Sequence, residues 1–108
     1  MPFLANRIAR IGALDRNLAA KTPEGVMPLL KRLYYDTAAS ANPVSFGALM
    51  QLVAPRNILL GTDFPFISES GMKATISGLR EVGLDLAAVQ AIEGDNAAVL
   101  FPRLRAGT

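Results

Sequence analysis

The sequence predicts an α/β fold in which two parallel strands, about residues 33–39 and 57–62, are joined and followed by helices. Three observations predict it. LYYDTAA and NILLGT are short apolar runs, the first rich in the aromatics that suit a pleated, buried surface. Between them lies a capped helix rather than the few residues of a hairpin, as a parallel crossover requires. Each run also gives way to an acid and turn residues, Asp36 before Ser-Ala-Asn-Pro and Asp63 before Phe-Pro, where a strand stops and a loop begins.

The elements follow in order. Pro2 suits a first helical turn, and Leu4, Ile8 and Ile11 recur at helical spacing up to Gly12, which predicts the helix end. Thr22-Pro23-Glu24 has the signature of a helix start: a capping hydroxyl, Pro at the first position and an acid in the first turn. Val26, Leu29, Leu30 and Leu33 form its apolar face, with Pro28 predicting a kink or a restart. After the first strand, Asn42 and Pro43 open a helix with Phe46, Leu49, Leu52 and Val53 as its stripe, stopped by Pro55. After the second, Ser70 is the expected cap of a helix bearing Met72, Ile76 and Leu79, closed by Gly83. Asp85 caps a helix with Leu86, Val89 and Ile92 that Gly94 closes, and Asp95 caps a last short turn ending at Pro102. With no repeat or linker, residues 1–108 read as one unit. Two strands alone leave two sheet edges open, which calls for more strands from elsewhere or association of copies.

Composition narrows the function classes. With 51% hydrophobic and 19% charged residues, the chain sits at the apolar edge of globular composition. Strands buried on both faces, surface made to pack against further protein, or the two together account for it. The net charge is +2 and the cations, including Lys31-Arg32, Arg56, Arg80, Arg103 and Arg105, are scattered, so no nucleic-acid partner is expected. No apolar run approaches the ~18 residues of a membrane span, and no membrane association is expected. The lack of Cys fits a reducing, cytoplasmic location. The chain has no His, which removes imidazole ligands, imidazole bases and Ser-His or Cys-His pairs.

Asp36 and Asp63 stand out on position. Both fall at C-terminal ends of predicted parallel strands, where barrels and open α/β sheets place their ligand sites. A carboxylate there holds a divalent cation or relays a proton, but an end-of-strand Asp equally serves as the cap of the following turn. Gly61 allows close approach of a ligand or another strand, and Pro65 fixes how the chain leaves.

These segments carry a resemblance. ILLGTDFPF resembles the final barrel strand of the amidohydrolase-related family that includes aminocarboxymuconate-semialdehyde decarboxylase and aromatic-acid decarboxylases. LYYDTAASANP is similar to the strand and loop before it, DNAAVLFPRL to the closing helix, and MPFLANRIARI to the segment after the family's His-Gly-Gly motif. The four matches stand in the family's order. The resemblance implies the C-terminal part of a (β/α)₈ TIM barrel. It implies that Asp63 binds or neighbours the catalytic metal, usually zinc, and orients the attacking water. Arg7 matches an arginine that reaches a substrate carboxylate in the neighbouring subunit, although a solvated helix face explains it equally well. For Asp36 it implies a structural role, and for Asn96, Ala97 and Phe101 packing and capping.

The departures from the family pattern are the His-x-His pair, the middle-strand His and the His of the His-Gly-Gly motif, none of which occurs in this chain. A whole barrel takes about 250 residues, and catalytic zinc usually takes three protein ligands. The expectation is therefore a fragment that alone binds zinc weakly and does not turn over. In the intact enzyme it would serve decarboxylation or hydrolysis of a small aromatic or unsaturated carboxylic acid. The partner expected is a second copy or a complementing barrel fragment. Two alternatives are a non-catalytic half-barrel interaction module and a truncated product without a role.

Overall fold

The computed structural model describes residues 1–105. Helices α1 (Pro2–Leu14), α2 (Arg16–Lys21) and α3 (Met27–Arg32) precede β1 (Tyr35–Asp36). Helix α4 (Pro43–Leu49) and a 3₁₀ turn (Pro55–Asn57) lead to β2 (Ile58–Leu59). Helices α5 (Glu69–Glu81) and α6 (Leu86–Gln90) follow, then a π-turn (Ala91–Asp95) and α7 (Asn96–Leu100). The two strands pair in parallel, Tyr35 opposite Ile58 and Asp36 opposite Leu59, with α4 as the crossover between them.

The strands are much shorter than 33–39 and 57–62. The reason is local: one further backbone bond, Thr37 N–H to the Leu59 carbonyl, extends the ladder, and then a side chain takes over. The buried Thr37 hydroxyl donates to the Gly61 carbonyl (2.9 Å) and accepts the Gly61 N–H (3.1 Å).

The expectation of two open edges is corrected at β2. On its far side Leu60 N–H donates to the Ile92 carbonyl (3.0 Å), and Asn96 Nδ2 donates to the Ile58 carbonyl (2.8 Å). The chain covers that edge with its own C-terminal helical segment, one of the ways proteins protect an exposed strand. Gly94 and Asp95 accordingly do not break the helix there. The backbone runs through a π-turn, a local departure from the α-helical ladder, in the segment whose Ile92 carbonyl receives Leu60.

Other boundaries move for equally specific reasons. Gly12 lies inside α1 and is buried, because a Cβ there would run into the Val26 side chain. The helix predicted after Thr22 is α3 and starts at Met27, with Pro28 in its first turn, where the missing N–H costs nothing. Thr22-Pro23 belongs to a turn completed by Gly25 at φ +83. Ser68, not Ser70, caps α5 by accepting the Gly71 N–H. The caps at Asn42 and Asp85 fall where the sequence places them, on Ser45 N–H and Ala88 N–H.

The core gathers Leu30, Phe46, Leu49, Ile58, Leu79, Val89 and Ile92 around the strand pair. Helix α5 comes so close to the loop before α4 that a Cβ on Gly78 would collide with the Ala41 carbonyl. Outside this core, large apolar side chains remain uncovered: Phe3 is 100% exposed, Phe66 90%, and Leu14 and Val44 83% each. Of the two explanations for the high hydrophobicity, these residues favour surface that packs against further protein.

Candidate functional site at the strand ends

The C-terminal ends of β1 and β2 lie side by side, tied by Thr37 and Gly61. Asp36 turns its side chain toward the neighbouring strand. A Cβ on Gly61 would lie 3.1 Å from both Asp36 Cβ and Oδ1, tighter than ordinary contact, so a side chain there would press on this carboxylate as the backbone after β2 passes it. Asp36 Oδ1 accepts the Ala38 N–H at 2.8 Å, the turn-capping role open to an end-of-strand Asp.

Asp63 differs. Its backbone is left-handed (φ 62), a conformation that Asp and Asn tolerate better than most residues. Its carbonyl accepts Ile67 N–H at 3.1 Å, and the next N–H, of Phe64, goes to the Thr62 hydroxyl at 3.4 Å. Among the described residues, no hydrogen bond or ion pair engages the Asp63 carboxylate, and the residue is exposed. Asp15, Asp36 and Asp85, by contrast, each accept backbone N–H groups. Among the described residues the exposed Asp95 is uncommitted like Asp63, but it sits in the helical C-terminal segment rather than after a strand. Asp63 is thus an exposed acid in the loop after β2 with no capping duty.

A cavity of about 330 Å³ opens beside the end of β1, lined by Tyr35, Asp36, Ser40 and Phe46 with Pro2 and Phe3 from the start of α1. The Tyr35 phenol donates to the Leu30 carbonyl at 2.8 Å, and desolvation by burial pushes its pKa above the ordinary tyrosine value. Arg7 is not part of this cavity. It is exposed on α1, in a groove formed wholly by that helix with Phe3, Asn6 and Arg10 among its walls. Asp36 therefore ends β1 and Asp63 lies in the loop four residues beyond β2, while Arg7 stands apart on a helix face. Thr37 escaped the sequence reading because its partner is 24 residues away.

The donor chemistry for a metal is incomplete. The chain has neither His nor Cys, and the described residues contain no group of three or more acids that could hold an ion. Asp63 alone falls short of the three protein ligands, roughly, that a catalytic metal takes. Among the described residues no helix is long and apolar enough to cross a membrane.

Two parallel strands joined by a crossover helix, with an uncommitted acid in the loop after the second, place the chain in the α/β class that builds its sites beyond strand C-termini. The chain belongs to the amidohydrolase family, whose profile matches residues 6–103. That family implies a TIM barrel and is generally metal-dependent. The chain is 30% identical over 105 residues to a 6-methylsalicylic acid decarboxylase of Penicillium expansum, covering 97% of this chain and 32% of that protein. A 6-methylsalicylic acid decarboxylase of Aspergillus aculeatus is 34% identical over 114 residues, with 97% of this chain and 33% of the relative covered. A decarboxylase of Penicillium terrestre is 28% identical over 108 residues, with 97% and 32% covered. The chain spans about a third of the length of these relatives.

Proposed function

We propose that this chain is the C-terminal portion of an amidohydrolase-family (β/α)₈ barrel that releases CO₂ from, or hydrolyses, a small aromatic or unsaturated carboxylic acid. The carrying observation is Asp63, exposed in the loop four residues beyond β2, on the C-terminal side of the parallel strands, and free of the capping bonds that occupy Asp15, Asp36 and Asp85. The relatives named as decarboxylases support the choice of chemistry. In this reading Asp63 supplies one carboxylate to the catalytic site. The metal, zinc as the resemblance implies, takes its remaining ligands from residues outside this chain. Arg7 contributes a guanidinium fork for a substrate carboxylate, presented to a neighbouring subunit rather than to Asp63. The isolated chain binds zinc weakly and does not turn over.

The test starts with the natural polypeptide, captured from source cells by an antibody against this chain. A product about three times the chain's 11.5 kDa, the size of a whole barrel, is expected. It should release CO₂ from 6-methylsalicylic acid or a related acid, and Asp63→Asn should abolish that release. Full activity of the Asp63→Asn protein would overturn the assignment.

A second reading, a non-catalytic half-barrel that pairs with a copy of itself or a complementing fragment, draws on Phe3, Phe66, Leu14 and Val44. A natural product of 11.5 kDa that forms a discrete oligomer would favour it.

A further inference from the structure

At the opposite end of the strand pair from Asp63, cations that are scattered along the sequence converge. Lys31 and Arg32 close α3, and Arg56 belongs to the 3₁₀ turn before β2. Asn57 holds the two segments together, its Nδ2 donating to the Leu33 carbonyl at 3.2 Å and to the Arg32 carbonyl at 3.5 Å. The result is a cleft of about 420 Å³ lined by these three cations, Tyr34 and Val99, with no acid among its walls. Among the described residues the ion pairs are Glu69–Lys73 and Glu93–Arg80, so none of the three cations is neutralised by a carboxylate.

We propose that this cleft binds a small organic phosphate. Arginine presents rigid donor forks that match phosphate oxygens, and Lys31 adds a third positive charge. A phosphate monoester carries close to two negative charges near neutral pH, which suits three unpaired cations better than the single charge of a carboxylate. Tyr34, 42% exposed, and Val99, 59% exposed, give the ester's organic part an aromatic and an aliphatic wall. The volume falls in the range of about 300–1,000 Å³ usual for small-molecule sites. Part of the cations' presence is explained by the negative end of α3, whose last turn favours Lys31 and Arg32. That preference does not account for Arg56, which is brought in from another element.

The experiment is a titration of the full 108-residue chain with phenyl phosphate, followed by NMR amide shifts at constant ionic strength, with benzoate as the carboxylate counterpart. Saturable one-to-one binding is expected, centred on residues 31–34 and 56–57, with benzoate weaker by about tenfold. Arg56→Gln and, separately, Lys31→Gln should each weaken phenyl phosphate binding by about tenfold while leaving the spectrum otherwise folded. Non-saturating shifts, equal binding of benzoate, or unchanged affinity in both variants would each overturn the proposal.

Discussion

The Thr37 hydroxyl and the Gly61 backbone form a closed pair, Oγ1 donating to the carbonyl at 2.9 Å and accepting the N–H at 3.1 Å. This pair stands where a longer ladder would have continued, and it ties the end of β1, which carries Asp36, to the segment between β2 and Asp63. Thr37 is 1% exposed, so neither bond competes with bulk water. Thr37→Val keeps the shape and removes both bonds, stranding a buried donor and acceptor. A loss of about 1–3 kcal/mol in urea unfolding is expected. Unchanged stability would mean that the strand ends are held by packing alone.

Asn96 performs the same service on the other edge. Its Nδ2 donates to the Pro55 and Ile58 carbonyls, both at 2.8 Å, and the residue is buried. Asn96→Asp replaces two donors with a carboxylate facing two carbonyls, so the introduced group favours its protonated form in the folded state. Its folded pKa then lies above the unfolded value of about 3.9. The variant should be nearest to the parent below that value and lose ground as pH rises toward neutrality. Paired unfolding curves at acid and neutral pH check this, and a gap that narrows with rising pH would contradict it.

What the sequence made legible was local. The caps at Asn42 and Asp85 act on N–H groups three residues ahead, and such bonds follow from residue type and spacing. Thr37 and Asn96 reach across 24 and 38–41 residues, and no periodicity announces them; Asn96 was visible only through the resemblance. Gly12 looks like a helix stop by local rules and is instead the place where Val26 comes close. The same division holds at the site. That Asp63 follows the second strand could be read from its flanking residues, but the early end of that strand at Leu59, the freedom of Asp63 from capping, the isolation of Arg7 on α1 and the meeting of Arg56 with Lys31 depend on tertiary placement.

Tyr35 is expected to add an alkaline dependence to the stability of the fold. Burial raises its phenol pKa, and the neutral hydroxyl donates to the Leu30 carbonyl. The folded state therefore holds this proton more tightly than the unfolded state. The stabilisation is fully present below the unfolded pKa of about 10 and is lost as pH rises through the higher folded value. Tyr35→Phe should cost about 0.5–1.5 kcal/mol at pH 7 and should flatten the fall in stability above pH 10. Identical alkaline profiles for parent and variant would assign that fall to other groups.

Asp63 allows chemistry to be separated from folding. Its φ of 62 is costly for most L-residues by about 1–2 kcal/mol, and is a conformation that Asp and Asn adopt more readily than most. Asp63→Asn should unfold with the parent, because among the described residues no bond or ion pair uses the carboxylate. Asp63→Ala should lose about 1 kcal/mol through its backbone alone. If Asp63→Asn then removes activity from the natural polypeptide at unchanged stability, the carboxylate acts in the reaction and not in holding the strand end. If instead Asp63→Asn destabilises the chain as much as Asp63→Ala does, the acid is part of the fold, and the case for a catalytic role at this position falls.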